Sequence, residues 1–357
     1  MAPCQTPVPP APVMPLISFI ITYYDEPLPL LAECVRSVLR VRAMMTGRGM
    51  SEGAFEIIVV DDGSMVSPED ALRQMDRGIR YIRQENQGLS AARNAGLALA
   101  RGEYVQFVDA DDALLPRAYC SLCPRSALDA DIILFRFTTR VPQTPPAASG
   151  EKDTRCPGKA ATAVPKPMES GTEYLLRHNM RASACCYLFR RSRLGKLRFA
   201  TGLTHEDELF TPLLLLRMHS TRDIPAAAYY YRQRTHSITH THTSQQRSRR
   251  LDDLMDITRR LRNAASTLPP LEKAALTRRV EQLTGDYIYN VYRLECDPAR
   301  RSHRMATLAG EHLLPLPVRT YTPGYWLYSL MLRLPHPWPD CLMRLLTHKT
   351  RLENTTG

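Results

Sequence analysis

Four apolar, β-rich runs, each closed by acidic or glycine-bearing residues, constrain this chain more than any other feature. Residues 16–24 (LISFIITYY) and 55–60 (FEIIVV) are nearly unbroken in apolar residues. A strand that is apolar at successive rather than alternate positions is buried on both faces, as in a parallel sheet covered by helices on each side. Shorter runs follow at 79–82 and at 103–108 (EYVQFV). Between the strands the period becomes helical. Leu28, Leu31, Val35, Val38 and Leu39 share a face over 28–43, a short helix opens at Pro68 over 68–77, and a third covers 89–100 (LSAARNAGLALA). Repeated strand–helix alternation predicts an α/β fold: an open, Rossmann-like, mostly parallel sheet with helices on both faces and right-handed crossovers.

The alternation continues with a helix near 115–123, strands at 131–138 and 185–190, a helix from His205 to about 218, and a strand at 227–231. Residues 141–170 break it: six prolines and almost no large apolar side chains predict an exposed loop or insertion. Two amphipathic helices follow at 249–262 and 271–296, the second with Leu276, Val280, Leu283, Tyr287, Val291 and Leu294 on one side. At the other end, residues 1–14 form a Pro-rich stretch without the basic-then-apolar order of a signal peptide. A disordered leader is expected there, with Met14 as a second candidate start. The expected organisation is thus leader 1–14, an α/β domain over 15–240, and a basic helical extension over 245–357.

Lys and Arg exceed Asp and Glu by 47 to 36, and residues 247–357 alone carry 18 against 11. That basic third suits an anionic partner, or is an ordinary solvated surface. Trp326 and Trp338 stand in it among Leu and Met, a composition that fits peripheral contact with an anionic membrane; a helical subdomain packed on the rest is the alternative. No run reaches the ~18 apolar residues a membrane-spanning helix needs. A nucleic-acid partner is not expected, since no stacking or groove-reading motif accompanies the charge. Nine scattered cysteines, an odd number, argue against a disulfide framework and for a reducing, cytoplasmic setting.

Chemistry concentrates at the strand ends, where ligands of open α/β sheets bind. Asp109, Asp111 and Asp112 follow the strand at 103–108. Three carboxylates in four residues repel one another, and a hard divalent cation, Mn²⁺ or Mg²⁺, would relieve the repulsion; an acidic turn capping the next helix is the alternative. Asp61-Asp62-Gly63-Ser64 closes the second strand, where a carboxylate can take a ribose hydroxyl or base N–H, or simply form an Asx turn. In Asn86-Gln87-Gly88-Leu89-Ser90-Ala91-Ala92-Arg93, a glycine turn enters a helix of small residues. Arg93 either faces an anion at the sheet edge or sits on the surface of a helix capped by Ser90. His205-Glu206-Asp207-Glu208 places acids at a helix start, stabilised by the macrodipole or poised as a base. Tyr229-Tyr230-Tyr231-Arg232 and Arg234, His236 and Ser237 beyond it offer cations and hydroxyls for a diphosphate. His236, His240 and His242 fit a polar loop better than a zinc site; Cys120-x-x-Cys123 and Cys185-Cys186 suit core packing.

In order and spacing, LISFIITYYDE, IIVVDDGS, NQGLSAARNAGL, YVQFVDADD, HEDELF and YYYRQRTHSI resemble the motifs of the family 2 glycosyltransferases, of GT-A fold, over residues 15–240. The likeness is to members that build bacterial surface polysaccharide. It implies an inverting, hexosyltransferase-type enzyme. Such an enzyme moves a sugar from a nucleotide-sugar donor, usually UDP-linked, to a hydroxyl of a glycan or lipid-linked glycan at the inner face of the plasma membrane. By family position Thr22, Tyr24 and Glu26 would line the base pocket, Asp62 would bind base or ribose, and Gly88 and Arg93 would flank the nucleotide. Asp109 and Asp111, with Ala110 between them, would be the DxD motif: Asp111 the more direct metal ligand, Asp109 nearer the ribose. Asp207 would be the catalytic base, and Arg234 and Ser237 would meet the diphosphate. Thr22 replaces a usual Pro, and Asp25 a common Asn. A nucleotide-sugar-binding protein without catalysis, or a basic nucleic-acid binder, are the rival classes.

Overall fold

The computed structural model describes residues 14–122, 128–140, 168–233, 243–334, 339 and 341–343. Residues 1–13 of the expected leader, nearly all of the 141–170 insertion, and Arg234, Ser237, His236, His240, His242, Cys123 and Trp338 lie outside the described residues.

The expected strand–helix order appears as β1 (Ile17–Tyr23), α1 (Leu28–Thr46), β2 (Phe55–Asp61), α2 (Glu69–Met75), β3 (Arg80–Arg83), α3 (Leu89–Leu99) and β4 (Tyr104–Asp109). Every residue of β1 and β2 is buried, which is why these runs lack polar alternation. Both β2 and β4 flank β1 in parallel, and β3 pairs parallel with β2. Helix α3 packs close because it is built of small residues: a Cβ on Gly96 would collide with Ile20.

Beyond β4 the sheet changes direction. Its eight strands run β3-β2-β1-β4-β7-β6-β8-β5, with β5 (Ala113–Leu114), β6 (Ile132–Thr138), β7 (Tyr187–Arg190) and β8 (Thr221–Tyr230) completing it. Pairings β4–β7, β6–β7 and β5–β8 are antiparallel. In the parallel half β1 and β2 are buried throughout, whereas the edge strand β3 is only partly buried. Strand β8 starts earlier than the 227–231 expected, because its first residues are only partly buried and carry no continuous apolar signal.

Contacts divide the chain into two compact units, the first 1–168, 184–196 and 222–232, the second 169–183, 197–221 and 233–357. This departs from the boundary expected near 240. The second unit includes α5 (Gly171–Arg177) and α6 (Asp207–Leu215) with α7 (Ser244–Ser266), α8 (Pro270–Leu294), α9 (Pro298–Gly310) and α10 (Pro323–Met331). The reason is the core: Leu209 of α6 joins Leu251, Ile257, Leu276, Leu283 and Val291 in one buried apolar cluster. The amphipathic stripe expected on the second long helix is the face α8 turns into that cluster, although Leu294 is only partly buried. Among the described residues no helix is long and apolar enough to cross a membrane.

Candidate functional site

In the first unit the carboxyl ends of β1, β2 and β4 bring the strand-end motifs together. Thr22 is in register with Asp109, and its carbonyl accepts the Ala110 N–H at 3.2 Å. Thr22 and Ala110 are buried. Tyr24 stands 50% exposed, an open aromatic face beyond the strand. Asp25 adopts φ 48°, a conformation that Asp and Asn tolerate better than most residues. It laces β1 to β2: its N–H donates to Ser64 Oγ at 3.0 Å and its Oδ1 accepts the Met65 N–H at 2.7 Å. Glu26 accepts the Tyr23 hydroxyl on its carbonyl at 2.9 Å.

Asp62 is buried and shapes the next loop. Its Oδ1 accepts from Gln84 Nε2 at 2.7 Å and from the Gln87 N–H at 3.0 Å, and its Oδ2 from the Gly88 N–H at 2.7 Å. Gly88 takes φ 87° before α3, which explains the glycine. Three of roughly four acceptor positions of the Asp62 carboxylate are engaged in holding this turn. Ser90 makes no side-chain cap to α3, and Arg93 is buried rather than on the helix surface, so the surface-helix alternative for this motif does not hold.

Arg93 instead reaches the acidic turn. Its Nη2 meets Asp109 Oδ1 at 3.0 Å, and its guanidinium lies 5.8 Å from the Phe107 ring centroid. The Cys185 thiol donates to Asp109 Oδ2 at 3.1 Å, so both carboxylate oxygens of Asp109 are held. Asp112 is almost fully enclosed. Its Oδ2 accepts from Tyr229 Oη at 2.8 Å and its Oδ1 from the Arg232 N–H at 2.8 Å. The same Tyr229 oxygen accepts the Asp109 N–H at 3.1 Å. Arg232 completes the brace: its Nε donates to the Asp111 carbonyl at 2.9 Å and its Nη2 pairs with Glu33 at 2.8 Å. Arg232 of the YYYR motif thus serves the acidic turn. Cys185, assigned to core filling from the sequence, touches the site; nothing local in a Cys-Cys pair signals that. Burial, then Asp109, push its thiol pKa well up.

Burial, then the charges of Asp109 and Asp111, raise the Asp112 carboxyl to about 8. Asp111 is half-buried beside it. The turn gathers the carboxyl groups of Asp109, Asp111 and Asp112, and its donors are hard oxygens. That donor set fits Mg²⁺ or Mn²⁺, which bind through one or two carboxylates plus substrate phosphates. No closed cage of three or more His, Cys, Asp or Glu side chains exists among the described residues.

Within the second unit, Asp207 is the first residue of α6 and half-buried. Of its neighbours, Glu206 is buried and Glu208 pairs with Arg279 of α8. His205 takes φ 61°, and burial, then Arg250, hold its pKa below the ordinary 6.5. Upstream, Thr204 is fixed by Asp253, which accepts its hydroxyl at 2.7 Å and its N–H at 2.9 Å.

A family model described as glycosyl transferase family 2 matches residues 18–198. EpsH of Bacillus subtilis (strain 168), named as a glycosyltransferase, is 28% identical over 233 residues, 63% of this chain and 62% of its own. Glycosyltransferase GlyG of Streptococcus pneumoniae serotype 4 is 33% identical over 127 residues, 34% of this chain and 39% of its own. The chain thus spans less than two thirds of the length of these curated relatives. Among solved structures, S. aureus TarS 1–349, crystallised in complex with UDP-GlcNAc, superposes with a TM-score of 0.61 at 17% identity. The superposition covers 95% of this chain and 92% of TarS 1–349, and the shared fold is GT-A.

Proposed function

The chain belongs to glycosyl transferase family 2, and from that membership we propose that it is an inverting, hexosyltransferase-type enzyme. It takes a sugar from a nucleotide-sugar donor, UDP-linked by first choice, to a hydroxyl of a glycan or lipid-linked glycan of the cell surface. The observation that supports this most is the acidic turn at the end of β4, gripped by Arg93, Cys185, Tyr229 and Arg232 beside Thr22. The UDP-GlcNAc bound by TarS supports the choice of UDP.

Asp109 and Asp111 would hold Mn²⁺ or Mg²⁺. When bound, the cation supplies Lewis-acid neutralisation of the departing diphosphate. Tyr24 stacks on the base, with Thr22 and Glu26 lining its pocket. Asp62 keeps the Gly88 turn at the nucleotide and offers its remaining acceptor position to base or ribose. Arg93 positions Asp109 rather than meeting the anion itself. Ala110 links the two carboxylates through backbone tied to Thr22. Arg234 and Ser237 would meet the diphosphate. Asp207 takes the proton of the acceptor hydroxyl as that oxygen attacks the anomeric carbon, a contribution of roughly 10²–10⁴-fold. The enzyme would work in the cytoplasm, peripheral to the membrane: Trp326, Leu327 and Leu330 stand exposed on one side of α10, and the region around them is basic.

A donor-hydrolysis panel of UDP-, GDP- and dTDP-sugars with Mn²⁺ tests the reading. Turnover of one nucleotide class is expected; no turnover, with nucleotide-sugar binding retained, would favour the non-catalytic alternative. Equal pelleting of the full chain with anionic and neutral liposomes would reject the membrane contact.

A further inference from the structure

A cavity of about 410 Å³ opens within the second unit, in the size range of small-molecule sites. Its floor is the polar stripe of α8: Arg279, Gln282, Asp286 and Tyr289, at three- and four-residue spacing, on a different side from the apolar stripe. Its opposite wall is aromatic, with Tyr321, Tyr325 and Tyr328 from α10 and the turn before it. The Tyr321 and Tyr325 rings stand 5.1 Å apart at 47°. Tyr321 donates to Glu281 and Tyr328 to the Gly285 carbonyl, whereas the buried Tyr325 Oη has no partner among the described residues.

The charges around the cavity select its occupant. Arg279 is neutralised by Glu208. Asp286 opens to the cavity and has no ion-pair partner among the described residues. Exposed as it is, Asp286 is still partly desolvated by the protein around it, which raises its carboxyl pKa, with Arg279 opposing. A lining with one unpaired carboxylate repels phosphates and nucleotides. It favours a neutral polyol, whose hydroxyls donate to the carboxylate while its C–H face lies on tyrosine rings.

Resting on the glycosyl-transfer reading above, we propose that this cavity binds a neutral pyranose unit of the acceptor glycan. Asp286, Gln282 and the Tyr325 hydroxyl take its hydroxyls, and the tyrosine rings take its apolar face. The cavity is braced to the proposed base: Arg279 in its wall pairs with Glu208, the residue after Asp207.

The test is saturation-transfer NMR on the full chain with methyl glucoside, galactoside, mannoside and N-acetylglucosaminide at millimolar concentration. At least one pyranoside should receive saturation. Its affinity should fall about tenfold or more in Asp286→Asn and about threefold or more in Tyr325→Phe. Tyr325→Phe keeps the ring and removes only a hydroxyl that holds nothing in the fold, and unchanged thermal midpoints would show that both variants are folded. No saturation of any pyranoside, or equal affinity in both variants, would overturn the proposal. Donor hydrolysis by the unaltered chain is scored separately. Hydrolysis without pyranoside binding overturns this inference alone. Pyranoside binding without hydrolysis of any donor upholds the sugar site and overturns the transfer reading, and the acceptor role with it.

Discussion

Two of the chain's acidic segments, one in each unit, are stabilised in different ways. In the second unit, the acids around Asp207 stand at a helix N-terminus, and Glu208 has a buried arginine as its partner. Dipole and ion pair compensate the charge there. In the first unit, Asp109–Asp112 close a strand rather than opening a helix; Arg93 pairs with Asp109, and burial, then the charges of Asp109 and Asp111, raise the Asp112 carboxyl to about 8. Acidic composition is therefore no guide to chemistry by itself. What separates the two segments is that Asp112 is buried among like charges while the acids of the second stand at a helix start beside a buried arginine; hard oxygens in the first setting suit a cation bound together with substrate phosphates.

Substitutions that alter this compensation break or sharpen the contrast. The largest effect is expected at Asp207→Asn, which should lower transfer by about 10²–10⁴-fold while nucleotide binding survives. Steady-state rates with donor titrations check it, and retained transfer would reject Asp207 as the base. Next, Arg93→Met removes a guanidinium ion-paired to Asp109. With Asp109 only partly exposed, stability should fall by roughly 2–3 kcal/mol in a denaturant titration, and added Mn²⁺ should recover part of it. Tyr229→Phe deletes the hydroxyl that donates to Asp112 and accepts from the Asp109 N–H. A loss of about 1–3 kcal/mol is expected, together with weaker Mn²⁺ binding in calorimetry. Arg278→Met, which removes bonds to the Leu175 and His178 carbonyls and to Asn179 but none to either acidic segment, should cost stability without moving Mn²⁺ affinity.

The smallest effect is a pH dependence in the second unit. Burial and Arg250 keep His205 neutral below its ordinary 6.5. The unfolded chain then binds more protons than the folded one as pH falls through 6.5, so this residue's contribution erodes on the acid side and is intact above neutrality. His205→Asn tolerates the positive φ and does not titrate. Between pH 7 and pH 5 the wild-type thermal midpoint should fall relative to that variant by on the order of 2 °C; parallel curves would remove His205 from the account.

The parallel half of the sheet was legible because double burial writes itself into sequence as runs such as ISFIITY and FEIIVVD. The acidic turn and the glycine turn were legible for the same reason, since they sit where those runs stop. Residues that act across long sequence separations were not. Cys185 reaches Asp109 from 76 residues away and Tyr229 reaches Asp112 from 117, and neither pairing leaves a local pattern. Nor does the sequence mark Leu209 as part of the helical cluster, since it looks like any core leucine until α7 and α8 are packed against it. The polar stripe on α8 was overlooked beside the stronger apolar one, and only the tyrosines of α10 give it meaning.

Calorimetric titration of UDP into the full chain, with and without Mn²⁺, tests the central claim most directly. Binding that requires Mn²⁺ and vanishes when both Asp109 and Asp111 are changed to Asn is the result this account predicts. Tight UDP binding that is indifferent to the metal and to those two substitutions would contradict it.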